Sequence, residues 1–306
     1  MQRKEKNRLL HLHQLDRSEM KNRTTLPRAA VLGDPISHSL SPVIHNFFLQ
    51  KYKIQGSYEA IRVKKDEFHS VVTKLVSDGF AGFNVTLPHK EEMFKICDFK
   101  SKSAGLTKAV NTVVVTSDKR LFGHNSDVDG FLNNLKETNP PFDLNGKICH
   151  VIGAGGAARA VIYGLLKSGV KKIIITNRNE NRALELVDDF SKMDCRIMFL
   201  HQKPFEESLT ESDLLVNCTS LGMLGQESLT LDIAGLKKSA LVCDIVYKPL
   251  ITDLLKRAQI HGNSVVTGIG MLVHQALIGF ECWFNEKPEN DNNLVKILIE
   301  KSCLTY

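Results

Sequence analysis

The chain has 306 residues, of which 42% are hydrophobic, 24% charged and 7% aromatic. The length favours two domains, because one domain commonly holds about 100–200 residues. The apolar fraction is that of a globular protein and excludes the disordered, fibrous and disulfide-scaffold classes. No stretch holds the roughly 18 consecutive apolar residues of a membrane-spanning helix, so we expect a protein that does not cross a bilayer.

The net charge of +6 comes mainly from the N-terminus. Residues 1–28 carry eight basic and three acidic side chains, which leaves 32 basic and 31 acidic side chains in residues 29–306. The body of the chain therefore lacks the basic excess that nucleic-acid binding requires. We expect residues 1–27 to form a disordered basic extension, on which alone a nucleic-acid role would rest. This extension has no apolar stretch of the kind found in secretory signals.

The seven cysteines are scattered, with neighbours at least 21 positions apart and no C-x-x-C pair. Such a set indicates reduced, buried thiols and a cytoplasmic protein. His11 and His13 form the one candidate metal pair, but they lie in the polar extension without a third ligand. We predict no metal site.

Strand and helix patterns alternate from residue 28 onward. In the first half the pattern predicts strands at 29–32, 57–63, 80–85, 110–116 and 121–124, and helices at 42–50, 66–77 and 127–137. The strands at 110–116 and 121–124 are expected to pair around the turn Ser117-Asp118. Pro140 and Pro141 then interrupt the chain. In the second half it predicts strands at 147–152, 171–176, 196–200, 213–217, 240–245 and 263–266, and helices at 157–167, 180–190, 252–259, 270–284 and 292–303. This alternation indicates an α/β protein with β-α-β units and a parallel sheet in each half.

A glycine-rich turn follows the strand at 147–152. Gly153, Gly155 and Ala158 match the pattern G-x-G-x-x-G/A, in which glycine permits a tight turn and lets the backbone approach a pyrophosphate. The turn lies between a predicted strand and a predicted helix, and this context favours dinucleotide binding over a merely tight turn. We expect the cofactor to contact Gly153, Ala154, Gly155, Gly156 and Ala157.

The end of the next strand favours NADP over NAD. An NAD site usually has Asp or Glu there, but this chain has Asn177, Arg178 and Asn179, then Arg182, and no acidic residue before Glu180. Two guanidinium groups suit the 2′-phosphate of NADP, which arginine binds bidentately. An ordinary solvated helix start is the alternative interpretation.

Polar side chains also follow the strands of the first half, where an open α/β sheet binds its ligands. They include Ser39, Ser41, Thr86, Lys90, Asn111 and Asp127. Hydroxyl, amide, ammonium and carboxylate groups together suit a polyhydroxylated, anionic small molecule. For single residues simpler roles remain open, such as a helix N-cap for Ser41 or Asp127 and a solvated side chain for Lys90.

Together these segments resemble the shikimate dehydrogenase family. Eight motifs occur in order over roughly residues 29–285: Ser39-Leu40-Ser41-Pro42 with His45-Asn46; Asn84-Val85-Thr86 with Pro88 and Lys90; Ala109-Val110-Asn111-Thr112; Gly123, Asn125 and Asp127; the glycine turn from Gly153 to Ala160; Asn177-Arg178; Asp244-Ile245-Val246-Tyr247; and Gly268, Gly270-Met271-Leu272-Val273 and Gln275. The basic extension has no counterpart in the family.

The resemblance implies reversible, NADPH-dependent reduction of 3-dehydroshikimate to shikimate, in the pathway to chorismate and the aromatic amino acids. It implies that Ser39 and Ser41 bind the substrate carboxylate near Tyr247, and that Lys90 and Asp127 are the catalytic pair. The ring hydroxyls would be bound by Thr86, Lys90, Asn111, Asp127 and Gln275, and the nicotinamide by Ile245 and Gly268. Homodimers occur in the family, and the sequence itself does not distinguish a homodimer from a monomer.

The chemistry of a ketone reduction is consistent with this catalytic pair. Hydride transfer places negative charge on the ketone oxygen, and a lysine ammonium can donate a proton to it. A carboxylate beside the ammonium orients it and favours its charged form, which helps reduction more than oxidation. We therefore expect Lys90 to act as the general acid and Asp127 to orient it.

Three positions depart from the family pattern. Asn179 stands where Thr or Ser is common near the 2′-phosphate, Lys108 where Gly is common, and Lys248 where Asn is common. Two alternatives stay open: a broader quinate/shikimate dehydrogenase that uses NAD, and a catalytically silent relative that binds shikimate or nucleotide. Retention of both Lys90 and Asp127 argues against the second.

The expected domains follow from this interpretation. Residues 28–138 would form the shikimate-binding catalytic domain, completed by C-terminal helices within 268–306. Residues 143–267 would form a Rossmann-type NADP-binding domain. Substrate and nicotinamide would meet where the two domains adjoin.

Overall fold

The computed structural model describes residues 26–303 except 139, 193 and 195. The expected extension at 1–27 therefore lies outside the described residues, apart from its last two. Contacts between Cα atoms divide the chain into two compact units. One unit runs to Ser126 and includes Gln275–Leu294, and the other contains Asp127–His274 and the chain from Val295. No helix in the described part of the chain is long and apolar enough to span a membrane.

The first unit contains a six-stranded mixed sheet. Its strands are β1 (Arg28–Gly33), β2 (Ser57–Arg62), β3 (Gly82–Val85), β4 (Phe99–Lys100), β5 (Thr112–Val115) and β6 (Leu121–His124), in the order β2-β1-β3-β5-β6-β4. The pairs β3–β5 and β5–β6 are antiparallel. The prediction of a parallel sheet in the first half is therefore wrong for these two pairs, whereas β1–β2, β1–β3 and β4–β6 are parallel. Only five residues join β5 to β6, and so short a turn can connect only antiparallel strands.

The helices of this unit include two that the sequence pattern did not predict. Helices α1 (Ser41–Lys51) and α2 (Phe68–Ser77) were expected, whereas α3 (Lys90–Ile96) and α4 (Lys102–Thr107) were not. Aromatic side chains fill much of the core, and Trp283 is anchored there by a hydrogen bond of 2.8 Å from Nε1 to the carbonyl oxygen of Val113.

The second unit contains a fully parallel six-stranded sheet. Its strands are β7 (Ile148–Ile152), β8 (Lys172–Thr176), β9 (Ile197–Phe199), β10 (Leu214–Asn217), β11 (Leu241–Asp244) and β12 (Ser264–Val266). Their order is β12-β11-β10-β7-β8-β9, which is the Rossmann order read from the other edge. The predicted doubly wound fold is confirmed. The order reverses between β7 and β10, and ligands of such sheets bind at that point.

Further helices follow the strands along the chain. They are α5 (Asp127–Lys136), α6 (Gly156–Lys167), α7 (Glu180–Ser191), α8 (Gln202–Ser208), α9 (Asp253–His261), α10 (Gly268–Phe284) and α11 (Asn292–Cys303). Of the six cysteines in the described residues, five are buried, Cys303 is exposed, and none forms a disulfide. Burial raises the pKa of the Cys97 thiol to about 12.

Candidate active site

The loop between β1 and α1 brings two predicted carboxylate ligands together. The backbone N–H of Ser41 donates to Ser39 Oγ at 3.3 Å. Ser41 is the first residue of α1 and Leu40 is its N-cap, so the N-cap interpretation of Ser41 does not hold. Ser41 is buried and Ser39 is half-buried.

Thr86 lies in the loop that follows β3, and Lys90 ends this loop as the first residue of α3. The N–H of Thr86 donates to the carbonyl of Leu32 at 2.9 Å, and the carbonyl of Lys90 accepts from Val110 N–H at 2.9 Å. Between them His89 is buried, with Nε2 2.7 Å from the carbonyl oxygen of Val63. Both ends of the loop are therefore attached to the sheet region. The side chains of Thr86 and Lys90 are half-buried rather than freely solvated.

A cluster of buried amides and hydroxyls surrounds Asn111. Its Oδ1 accepts from the N–H of Ser126 at 2.7 Å, and its Nδ2 donates to Ser126 Oγ at 3.0 Å. Nδ2 also lies 3.5 Å from Gln275 Oε1. The structure thus brings together two of the predicted ligands for ring hydroxyls, Asn111 and Gln275. Such amides offer both donors and acceptors, as the binding of a polyol requires.

Tyr58 and Asn84 extend this cluster across the sheet. The Tyr58 hydroxyl donates to Asn84 Oδ1 at 2.6 Å, and Asn84 Nδ2 donates to the carbonyl of Asn111 at 3.0 Å and to Thr112 Oγ1 at 3.2 Å. Burial raises the pKa of Tyr58 well above its usual value, more than the Ser41 hydroxyl beside it lowers it. Tyr58 is therefore protonated and acts as a donor at neutral pH.

Sequence reasoning missed Tyr58. Among the six residues of β2, it is the one that is fully buried, on an otherwise exposed edge strand. Its ring stacks on the buried imidazole of His45, with ring centroids 3.9 Å apart. The single aromatic residue of a short edge strand was the available signal.

The glycine turn of the second unit leaves an open cradle. Gly153 has a φ of 114°, a left-handed value that favours glycine. Gly155 is the N-cap of α6, with no capping side chain, and a Cβ added there would meet no atom within 4 Å. No acidic residue occupies the first turn of α6. Uncapped amides that face open space fit the pyrophosphate of a dinucleotide.

The loop after β8 places the predicted phosphate ligands at the surface. Arg178 and Arg182 are exposed, as a 2′-phosphate site requires. Asn179 caps α7, because its Oδ1 accepts from the N–H of Arg182 at 3.1 Å. Asn177 Nδ2 donates to the carbonyl of Asn179 at 2.7 Å, which braces the turn. The amide group of Asn179 still has its Nδ2 donors, so capping and phosphate contact are compatible.

Ile245 and Gly268 meet at the ends of β11 and β12. A Cβ on Gly268 would lie 2.3 Å from the carbonyl oxygen of Ile245, so any larger residue would displace this backbone. Asp244 supports the same segment, since its carboxylate accepts from Thr252 Oγ1 at 2.7 Å and from Val246 N–H at 3.0 Å. Burial raises the pKa of Asp244, and these hydrogen bonds oppose the effect. The two predicted nicotinamide contacts are thus adjacent.

The predicted residues divide between the two units. Ser39, Ser41, Thr86, Lys90, Asn111 and Gln275 belong to the first unit, whereas Asp127, Tyr247 and the glycine turn belong to the second. Asp127 is the first residue of α5 and is 5% exposed, and Tyr247 is half-buried after β11.

Comparison with known proteins gives consistent matches along the chain. Three family models match: the shikimate dehydrogenase substrate binding domain at residues 31–113, shikimate / quinate 5-dehydrogenase at 135–247, and the shikimate 5′-dehydrogenase C-terminal domain at 268–289. The chain is 45% identical over 268 residues to the shikimate dehydrogenase (NADP(+)) of Bartonella henselae, covering 86% of this chain and 89% of the relative. It is 44% identical over 266 residues to that of Paramagnetospirillum magneticum, covering 87% and 95%.

A solved structure is similar over the same range. The crystal structure of shikimate 5-dehydrogenase from Thermus thermophilus, in complex with NADP(H) and shikimate, superposes with a TM-score of 0.79 at 34% identity. The match covers 90% of this chain and 100% of that chain.

Proposed function

Because the chain belongs to the shikimate dehydrogenase family, we propose which of its residues carry out the family's reaction. Its activity is that of an NADP-dependent shikimate dehydrogenase, an oxidoreductase that reversibly reduces 3-dehydroshikimate to shikimate in aromatic biosynthesis. The cofactor is NADP(H) and the substrate is a small molecule. The position of Lys90 is the observation that supports our residue assignment most directly. Its carbonyl accepts from Val110 N–H, so Lys90 lies directly beside the segment that carries the buried Asn111 cluster.

In this proposal Lys90 is the general acid. NADPH, when bound, supplies the hydride to the ketone carbon. Lys90 Nζ donates a proton to the ketone oxygen as negative charge develops there, and in the reverse direction it accepts the proton of the hydroxyl. Asp127 orients the ammonium and binds a ring hydroxyl. The buried position of Asp127 at the start of α5 supports this role, because burial limits the orientations of a carboxylate.

The other polar residues bind the substrate. We assign Ser39 and Ser41, with Tyr247, to the carboxylate, and Thr86, Asn111 and Gln275 to the ring hydroxyls. The paired serines and the contact between Asn111 and Gln275 support these assignments. Hydroxyl and amide donors can bind a carboxylate and a polyol without a metal ion.

The cofactor site uses the second unit. We assign the pyrophosphate to the turn Gly153–Ala157, the 2′-phosphate to Asn177, Arg178, Asn179 and Arg182, and the nicotinamide to Ile245 and Gly268. The open cradle before α6 and the exposed guanidinium groups after β8 support this assignment.

Neither alternative function is favoured. An NAD-dependent quinate/shikimate dehydrogenase would be expected to carry an acidic residue after β8, where this chain has Arg178. A silent relative would not need to retain both Lys90 and a buried Asp127.

Two further parts of the proposal concern the assembled protein. From the family resemblance we propose that the chain forms a homodimer, and sedimentation of the purified protein tests this. From its reduced, mostly buried cysteines we propose a cytoplasmic location, which cell fractionation tests.

The central test compares Lys90→Ala with Lys95→Ala, an exposed lysine in the same helix. NADPH formation from shikimate is followed by absorbance, and NADP binding by quenching of the protein's fluorescence. We expect Lys90→Ala to lower kcat by about 10²–10⁴, the usual contribution of a general acid, with NADP binding unchanged. Lys95→Ala should behave as wild type. Equal turnover of the two variants would refute the role of Lys90.

A further inference from the structure

Gly33 lies against Thr86 where β1 and β3 end. The two strands are parallel and pair Leu32 with Val85, so Gly33 and Thr86 are the next partners in the register. The hydrogen bonds continue past the strand ends, from Thr86 N–H to the carbonyl of Leu32 and from Asp34 N–H to the carbonyl of Leu87, both at 2.9 Å. The backbone on both sides of this pair is therefore held at a fixed spacing.

Space, rather than backbone conformation, requires glycine at this position. Gly33 is not among the residues with positive φ, so an L-amino acid could adopt its backbone conformation. A Cβ at Gly33, however, would lie 2.4 Å from Cγ2 of Thr86. The next atoms are farther away, with the Leu87 carbonyl oxygen at 3.0 Å and Ile36 Cδ1 at 3.1 Å. The methyl group of Thr86 thus occupies the space in which a side chain at position 33 would begin.

The stereochemistry of threonine connects this contact to the hydroxyl. Cβ of threonine carries a methyl and a hydroxyl group of fixed chirality, and the side chain occupies staggered rotamers about 120° apart. When the methyl group is seated on Gly33, the position of the hydroxyl is fixed as well. Any side chain at position 33 would force the methyl away and rotate the hydroxyl with it.

We propose that Gly33 is a positioning residue for the reaction: by leaving room for the Thr86 methyl, it directs the Thr86 hydroxyl toward the substrate. This inference rests on the proposed role of Thr86 as a ligand of a ring hydroxyl. Gly33 itself touches neither substrate nor cofactor in this proposal, so it acts only through Thr86.

The test is a mutant cycle in which Thr86→Ser removes the clashing methyl and keeps the hydroxyl. Kinetics with shikimate and NADP are measured for Gly33→Ala, Thr86→Ser and the double variant. Gly33→Ala should lower kcat/KM for shikimate roughly tenfold or more, as loss of a substrate hydrogen bond does, and leave KM for NADP unchanged. The kcat/KM of the double variant for shikimate should lie within about twofold of that of Thr86→Ser, since free energies of independent changes add within about this error. Gly105→Ala is the control, since a Cβ there would meet no atom within 4 Å.

Thr86→Ala separates the inference from the role of Thr86. If Thr86→Ala keeps full activity, the assignment of Thr86 is wrong, and the inference fails with it. If Thr86→Ala is impaired but Gly33→Ala is active, or is impaired and not rescued by Thr86→Ser, the inference alone is refuted. Failure of both Gly33→Ala variants to fold counts as absence of rescue and also refutes it.

Discussion

Replacing Tyr58 with phenylalanine tests whether the buried polar cluster stabilises the first unit. The change removes one hydroxyl, which donates to Asn84 Oδ1 at 2.6 Å, and keeps the ring that stacks on His45. Tyr58 and Asn84 are 3% and 4% exposed, so water cannot easily replace the lost donor. A buried acceptor that loses its partner costs about 1–3 kcal/mol, and we expect Tyr58→Phe to lower the free energy of unfolding by this amount.

The single tryptophan of the chain makes the measurement specific to this unit. Trp283 is buried in the first unit, with its ring centroid 5.9 Å from that of Tyr58. Its fluorescence during urea unfolding therefore reports on the structure around the cluster. Tyr52→Phe is the matched control, because the Tyr52 hydroxyl accepts only a long hydrogen bond of 3.4 Å from Glu289 N–H near the surface. The control should change stability by less than about 0.5 kcal/mol.

Activity adds a second readout for the same variant. Asn84 donates to the carbonyl of Asn111, so a displaced Asn84 disturbs the segment that carries a proposed substrate ligand. We expect KM for shikimate to rise and KM for NADP to stay unchanged. If Tyr58→Phe is no less stable than Tyr52→Phe and has the KM of wild type for shikimate, the cluster does not position Asn111.

Three further predictions concern stability and cofactor binding. Burial lowers the pKa of the His45 imidazole to about 3. Between about pH 6.5 and pH 3, the imidazole therefore binds a proton in the unfolded chain but not in the folded one. The free energy of unfolding should accordingly fall by about 1.4 kcal/mol for each unit by which the pH decreases in this range. His45→Phe should reduce this slope in urea unfolding compared near neutral pH and at about pH 5; an unchanged slope would refute it. Lys108 is the C-cap of α4 and has a left-handed backbone conformation with φ 49°. Lys108→Gly should therefore raise the free energy of unfolding by up to about 1 kcal/mol. A decrease in this free energy would show that contacts of the Lys108 side chain contribute more than the relief of the backbone conformation. Asn179→Ala should lower the free energy of unfolding by about 1 kcal/mol, because it removes the N-cap of α7, and it should raise KM for NADP. Asn179→Ser should keep the cap. Equal thermal stability of the two variants would contradict the capping role.

The Rossmann half was predicted well because its signals are local. The strand expected at 171–176 is Lys172–Thr176, and the helix expected at 180–190 is Glu180–Ser191. These two elements are long enough to show their own periodicity, and glycine residues mark turns in this half, whereas the seven-residue helix α8 (Gln202–Ser208) was not predicted. The parallel sheet of this half followed from the alternation itself, since parallel strands joined by helices have few alternative arrangements.

The first half was predicted less completely. The helices Lys90–Ile96 and Lys102–Thr107 have seven and six residues, about two turns or fewer, and so short a stretch gives no clear periodicity. The antiparallel pairing of β3 with β5 was missed for a different reason. These two strands lie far apart in the sequence, so no local pattern records the direction of their pairing.

In the candidate site, the residues that react or bind could be predicted from the sequence, whereas the residues that position them could not. Motifs identify the groups that react or bind, such as Lys90 and Asn111, because their residue types are chemically distinctive. Gly33 and Tyr58 are common residue types, and their significance comes from neighbours across the sheet: Thr86 for the first and Asn84 for the second. A single sequence does not record such neighbours.

The arginines near the cofactor turn also differ in role because of their neighbours. Arg159 lies in the first turns of α6, closer in sequence to the glycine turn than Arg178, and charge alone would make it a phosphate ligand. In the structure, Arg159 NH1 lies 2.8 Å from Asp189 Oδ2, and the two side chains are only 10% and 15% exposed. Removing one partner of such a largely buried pair leaves the other charge uncompensated, so Arg159 is committed to joining α6 to α7. Arg178 is exposed, and no carboxylate in the described residues pairs with it, so it can bind a phosphate without breaking an existing ion pair.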